Sequence, residues 1–203
     1  MGRPRKSEAT RQRLIAAGIR QISAHGVSGT GLNALLEEAA AAAGSFYNFY
    51  PSKAAFVEAA LDAYAASLLG LFDELFGSDS GRAPLQRLAA AHGRLISLVE
   101  EGDFAAGCLL GTVGAEACTT LPALRPVLQQ AFGQWRTRLE ALLAEGQSEG
   151  SVRNDLPAAQ LAELFLAVWQ GALIQMRVEV SSRPLVETLE VALQLLRSPD
   201  LAR

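Results

Sequence analysis

The sequence predicts an all-α protein of about nine helices, and three observations carry that expectation. β-Branched residues form no alternating runs, and no Asn-Gly or Asp-Gly pair offers a hairpin turn. Apolar residues instead recur three and four apart along almost the whole chain. Residues that favour turns gather at 77–84, 119–122, 150–157 and 181–184, cutting the pattern into helix-length pieces.

Taken in order, Ser7 is placed to cap a first helix whose stripe is Leu14, Ile15, Gly18, Ile19 and Ile22. Gly26, after His25, suits the left-handed position that closes a helix. Thr30 is a natural N-cap for a short second helix holding Leu32, Leu35 and Leu36. A third short helix is expected over about 42–47. Pro51-Ser52-Lys53 opens a long fourth, capped by Ser52, with Phe56, Ala60, Leu61, Tyr64, Leu68 and Leu71 inward. Further helices are expected at about 85–101, 103–117, 122–149, 157–178 and 184–197.

A chain of 203 residues, 50% hydrophobic, can bury a substantial core. No stretch approaches the roughly 18 uncharged apolar residues of a membrane span. The start, GRPRK, lacks the apolar core of a secretory signal. Two cysteines without paired spacing fit a reducing compartment. A cytoplasmic protein with no membrane partner is therefore expected. The net charge of −3 is unevenly spread. Residues 1–53 carry seven basic against three acidic side chains, and residues 54–203 carry eleven against eighteen. A basic head of +4 on an acidic body of −7 is the distribution of a DNA-binding module, 1–53, joined to a second module, 54–203.

Residues 28–50 have the spacing of a helix-turn-helix, whose second helix lies in the major groove. Phe46 and Phe49, three apart, can share the face that packs on the first and fourth helices. Ser45, Tyr47 and Asn48 then look outward, with groups able to reach phosphates or base edges. Lys53, in the first turn of helix four, opposes the helix dipole unless a phosphate completes that end.

The segment TRQRLIAAGIRQISAHGVSGTGLNALLEEAAAAAGSFYNFYPSKAAF, residues 10–56, resembles the N-terminal domain of TetR-family transcriptional regulators. HGV-x-GT, the LL-EEA helix and GSFYNFYPSK carry the likeness. The resemblance implies a homodimer on a palindromic double-stranded operator, with a helical C-terminal domain that binds an effector and dimerises. It implies DNA contacts at Thr30, Gly44, Ser45, Tyr47, Asn48 and Lys53, and Arg3 and Arg5 lie in an arm able to follow a minor groove. The alanine run departs from the family pattern: Ala40, Ala42 and Ala43 stand where relatives have a turn glycine, a cap and a lysine. A lost cap costs about 0.5–2 kcal/mol. A lost lysine at the DNA-facing position 43 makes the salt dependence shallower by about one counterion. Packing of Phe46 and Phe49 is expected to keep the two short helices from fusing.

In the body, DFAAGCLLGTVGAEACTT holds both cysteines. On one continuous helix Cys108 and Cys118 stand ~15 Å apart along the axis and roughly 80° apart around it, which excludes a disulfide within it unless it breaks near Gly111 or Gly114. AGCLLGTVGAEAC, LPALRPVL and WQGALIQMRVEVSSRPLVETL are similar to a TetR subgroup that includes repressors of electrophile- and aldehyde-detoxifying reductase operons. That likeness implies sensing at Cys108, with Cys118 a second thiol and Arg177 a basic partner at a position where relatives often carry lysine. Phe72, His92, Phe104, Trp135, Trp169 and Met176 are open to two roles, lining an effector pocket or forming plain core. The last two helices present apolar stripes with Leu161, Leu164, Phe165 and Val168, then Leu185, Leu189 and Leu193. By resemblance these form the dimer interface.

No metal-ligand constellation or cofactor motif occurs, since His25 and His92 are far apart. A thiol enzyme lacks a base for Cys108, so no enzymatic activity is expected. The expected function is a repressor released from DNA by a small molecule, electrophile or oxidant. The alternative is a helical dimer with a non-covalent ligand pocket whose DNA binding is weakened or lost through Ala40, Ala42 and Ala43.

Overall fold

The computed structural model describes residues 3–77, 81–102, 104 and 107–198, with the side chains of residues 3–6 and of Cys118 outside the described set. Among the described residues the order is α1 (Arg3–Gly29), α2 (Leu32–Glu38), α3 (Ala43–Phe49), α4 (Lys53–Phe76), α5 (Pro84–Glu101), α6 (Leu109–Thr120), a 3-10 turn (Pro122–Leu124), α7 (Arg125–Ser148), α8 (Ala158–Glu179) and α9 (Arg183–Leu196). The expected all-α class holds, and the β pairing among these residues is an isolated bridge between Val152 and Arg197.

Several boundaries differ from the sequence reading. The helix α1 begins at Arg3, so Ser7 lies inside it and the backbone of the arm with Arg3 and Arg5 is helical; those two side chains lie outside the described residues. Gly26 interrupts α1 at φ 75, ψ 176, a kink followed by one more turn. Thr30 is not the cap of α2. Gly31 takes that place, and the Thr30 hydroxyl donates to the Gly26 carbonyl at 2.7 Å. Most consequentially, α6 starts at Leu109 and not near 103, because Phe104 has φ 58 and Cys108 is extended at φ −69, ψ 122. Cys108 is thus the N-cap residue of α6, and no break occurs at Gly111 or Gly114.

Packing groups the chain into two compact units. One comprises Met1–Ala66 with Cys108–Ala131, the other Ser67–Gly107 with Phe132–Arg203. In the first unit α1 packs against α2, α3 and α6. Leu14, Ile22, Leu35, Phe46, Phe56 and Leu109 are buried there. A Cβ on Gly18 would collide with the Phe56 ring, so a glycine is what lets that ring seat against α1. The turn between α2 and α3 persists despite five consecutive alanines because both of its ends are held. Arg13 Nε donates to the Ala39 carbonyl at 2.9 Å, and Arg20 Nε donates to Glu38 at 2.6 Å. On the far side Phe46 meets Phe56, Tyr50 and Tyr47 at ring distances of 5.1, 5.6 and 5.4 Å, while Phe49 is half-buried beside Tyr50. Ala40 makes the turn at φ 46, a left-handed conformation that an L-residue with a Cβ adopts only at a cost of about 1–2 kcal/mol.

In the second unit α9 packs against α8 and α5. Its centre is an aromatic cluster. Phe72 stacks on Phe76 at 5.0 Å and lies 5.3 Å from Trp135 and 5.8 Å from His92. The His92 ring in turn meets Phe165 at 4.7 Å and Trp169 at 4.6 Å, both edge-on. Phe72, His92, Trp135, Trp169 and Met176 are all buried. These five side chains lie in the interior of the unit, and Phe104 is half-buried in the α5–α6 connection. Buried Arg87 ties α5 to its neighbours by donating to the Phe76 carbonyl at 2.5 Å and to the Glu145 carboxylate. The helices α4 and α8 have the length and hydropathy of membrane spans. Each nevertheless buries one face while exposing charged residues, Glu58 and Asp62 on α4 and Glu163 and Arg177 on α8, the pattern of a core helix.

Two outcomes are expected from this packing. Ala40→Gly removes the left-handed strain but gains backbone freedom in the unfolded chain, so a net stabilisation of about 0.5–1 kcal/mol, or ~1–4 °C in Tm, should appear in thermal melts; an unchanged or lower Tm contradicts it. His92 Nδ1 lies 3.0 Å from the Leu88 carbonyl, and burial pushes its pKa down to about 4. The unfolded chain therefore takes up a proton that the folded one refuses. Stability is intact above about pH 6.5 and falls as the pH drops toward about 4, by up to ~3 kcal/mol. His92→Phe should flatten that fall in urea midpoints measured from pH 7 to 4.5.

Candidate functional site

The helix α3 is short, and its sequence AGSFYNF divides by burial. Phe46 points inward, Phe49 and Ser45 are half-buried, and Ala43, Gly44, Tyr47 and Asn48 are exposed. Tyr47, at 63% exposure, is the prominent apolar surface group of the unit. A Cβ at Gly44 would meet no atom within 4 Å, so the backbone at that end of α3 is open to close approach. Ala42 is the N-cap of α3 at φ −74, ψ 147, and it makes no side-chain capping bond. An exposed phenol, an exposed amide and bare amide N–H groups on one short helix suit hydrogen bonding to phosphates and base edges.

The flanking residues divide between presenting this surface and holding it. Thr30 is only 3% exposed and its hydroxyl is bonded within the chain, so its side chain does not face outward with the others. Lys53 is exposed, and its Nζ donates to the Thr30 carbonyl at 2.7 Å while Ser52 caps α4 through the Ala55 N–H at 3.1 Å. Arg13 and Arg20, counted in the basic head, are engaged in pinning the end of α2.

Sequence reasoning missed Glu116. Near the end of α6, its carboxylate accepts the Val27 N–H and the Ser28 N–H, each at 2.6 Å. The Ser28 hydroxyl, the two amides and the positive charge of Lys53 hold its pKa below the usual carboxylate range, against some desolvation. A Cβ on Gly26 would collide with the same carboxylate. The signal available in the sequence was slight: one acid in the otherwise uncharged stretch LLGTVGAEACTT.

Cys108 is a free thiol, 7% exposed, at the first end of that same helix. Tyr64 from α4 lies against it. Burial, and then the neighbouring sulfur, push the Tyr64 phenol well above its ordinary range. Arg177, expected as a basic partner, belongs to the other unit and is exposed in the last turn of α8. The side chain of Cys118 lies outside the described residues.

A cavity of about 570 Å³ lies between α8 and α9, lined mainly by apolar side chains including Leu161, Leu164, Phe165 and Val168 from α8 and Val191 and Leu195 from α9. Of the residues expected at an interface, Leu164 is 54% exposed and Val168 is also exposed. Leu161, Phe165, Leu185 and Leu189 instead turn into their own unit, and Leu193 is half-buried. Ile174, Val178, Val191 and Leu195 extend the exposed apolar face beyond the residues named from the sequence.

Comparison with known proteins accords with this arrangement. Residues 14–60 match the family described as bacterial regulatory proteins, tetR family, and residues 84–192 match the tetracyclin repressor-like C-terminal domain. The chain is similar to the transcriptional regulator AcuR of Cereibacter sphaeroides, 33% identical over 91% of this chain and 85% of the relative. It is 30% identical to the HTH-type transcriptional repressor DhaR of Mycobacterium sp. (strain GP1), over 92% and 91% of the two chains. A solved structure of Escherichia coli NemR in its reduced form superposes with a TM-score of 0.79 at 28% identity, covering 94% of this chain and 98% of that one. With its helix-turn-helix, its helical C-terminal domain and likeness along nearly its whole length, the chain belongs to the TetR family of DNA-binding transcriptional repressors, and is a regulator of transcription rather than an enzyme.

Proposed function

We propose that the protein is a homodimer that reads a palindromic operator through α3 of each subunit and leaves it when an electrophile or oxidant modifies Cys108. The observation that carries this reading is the position of Cys108 at the start of α6, in the unit that also contains the helix-turn-helix. A substituent on that sulfur must displace the first turn of a helix that packs on α1. With peroxide the thiolate attacks one oxygen, an S–OH bond forms and hydroxide leaves. With an activated alkene the sulfur adds to carbon and the former thiol proton ends on the adduct. Either product is larger than the buried thiol. The release follows if the modified state favours a head orientation that the operator does not fit. NemR, whose solved structure is described as a reduced form, supports a thiol reading by likeness.

Gly44, Ser45, Tyr47 and Asn48 contact DNA in this reading, Lys53 meets a phosphate, and Ala43 makes no charge contact. The exposed face of α8 and α9 pairs with its copy about a twofold axis, burying Leu164, Val168, Val191 and Leu195. One observation favours a second reading: Ala42 caps nothing and Ala40 is strained, so the head has a weakened grip and the dimer responds to a non-covalent ligand.

Fluorescence anisotropy on the protein's own upstream duplex tests the assignment. Tight binding when reduced, lost after mild peroxide or a maleimide and retained in Cys108→Ser, is the expected result. Indifference to both reagents rejects the thiol switch, and absence of binding at low salt rejects operator reading. Lys53→Ala should lower the slope of log affinity against log salt by about one. Leu164→Glu sets like charges across the twofold axis and should give monomers by light scattering, with operator affinity reduced more than about tenfold.

A further inference from the structure

Beyond the exposed contacts of α3, one feature governs how that helix is presented. Between the Gly26 kink in α1 and the start of α2, backbone groups are taken by two charged side chains from other helices. Glu116 of α6 accepts the Val27 and Ser28 N–H groups, and Lys53 of α4 donates to the Thr30 carbonyl. Gly26 bends at φ 75 with no side chain, and Glu116 occupies the space that a Cβ would need.

We infer that Glu116 is a positioning residue for DNA recognition: its carboxylate clamps the Val27–Ser28 backbone and thereby sets the angle at which the helix-turn-helix leaves α1. The inference rests on the regulator reading above. A carboxylate has two oxygens and enough lone pairs to take both amides and the Ser28 hydroxyl at once, which no neutral side chain of that length can do. Its pKa, held below the ordinary carboxylate range, accords with a charged clamp. Glu116 lies eight residues after Cys108 on the same helix, about 12 Å along its axis. A rigid helix of that length carries a displacement at its sulfur-bearing end to the clamp. Only one discrete contact need be lost for the head to swing about Gly26.

Hydrogen exchange and operator affinity, measured on the full-length protein, decide the matter. Glu116→Gln keeps the shape but replaces one acceptor oxygen with an NH2 group. Exchange at Val27 and Ser28 should quicken by about tenfold or more while α8 amides keep their protection, and affinity for the upstream duplex should fall about tenfold. Glu116→Asp keeps the charge but withdraws the carboxylate by about one methylene, beyond hydrogen-bond reach of both amides, so it should lose both readouts as well, and it serves as the informative variant if Glu116→Gln does not fold. Wild-type affinity in Glu116→Gln overturns the inference, as does equal loss of protection in α8, or an Asp variant with wild-type protection at Val27 and Ser28. Failure of the unmodified protein to bind any duplex would sink the regulator reading instead, and exchange at Val27 and Ser28 would still decide whether the clamp exists.

Discussion

The reading head depends on one packing constraint: the Phe46 ring must stay buried against Phe56 and Tyr50. Alanine has the highest helix propensity of any residue, and the run Ala39–Ala43 taken alone would carry α2 straight into α3. A continuous rod would lift Phe46 into water. Burying a phenylalanine is worth about 1.5–3 kcal/mol, which exceeds the cost of about 1–2 kcal/mol for placing Ala40 in the left-handed region. The absence of a side chain at Gly18 admits Phe56 to that cluster, so a single missing Cβ on α1 underlies the separation of α2 from α3.

Charge then does what apolar packing cannot, because rings fix position loosely in rotation. Arg13 and Arg20 hold the end of α2, Lys53 holds the Thr30 carbonyl, and Glu116 holds the amides before it. Each bond joins a long side chain to a backbone group or carboxylate on a neighbouring helix, so the head is oriented by contacts from three directions. The positive charge concentrated in the first 53 residues thus divides into two uses, with part of it consumed in construction and part presented at the surface. A charge count cannot tell these apart.

The second unit is built on a different balance. Its aromatic cluster contains polar atoms without partners, His92 Nε2 and Trp135 Nε1. Neutral imidazole tolerates such a place and imidazolium does not, which is the physical content of the low His92 pKa. Around this closed core, α8 and α9 turn an apolar face outward, containing Leu164, Ile174 and Val178. The same helices therefore serve an interior and an exterior, and the alternation of buried Leu161 and Phe165 with exposed Leu164 and Val168 is the record of both.

The sequence by itself determined the helical class, the order and approximate extent of the helices and the family to which the chain belongs. These rest on local spacing, on capping residues such as Ser52, and on a contiguous motif. It also placed Tyr47 and Asn48 outward and Phe46 inward, because one helical turn decides that. Only the tertiary structure decided the rest. The true start of α6, and with it the role of Cys108 as cap, follows from backbone angles at Phe104 and Cys108 that no periodicity encodes. Thr30 turned inward because Gly26 offered a carbonyl, and Leu161, Phe165, Leu185 and Leu189 turned inward where α9 packs with α8 and α5. Glu116 was illegible for the plainest reason: its partners lie 88 and 89 residues away, and a contact made across such separation leaves no trace in the spacing of neighbours.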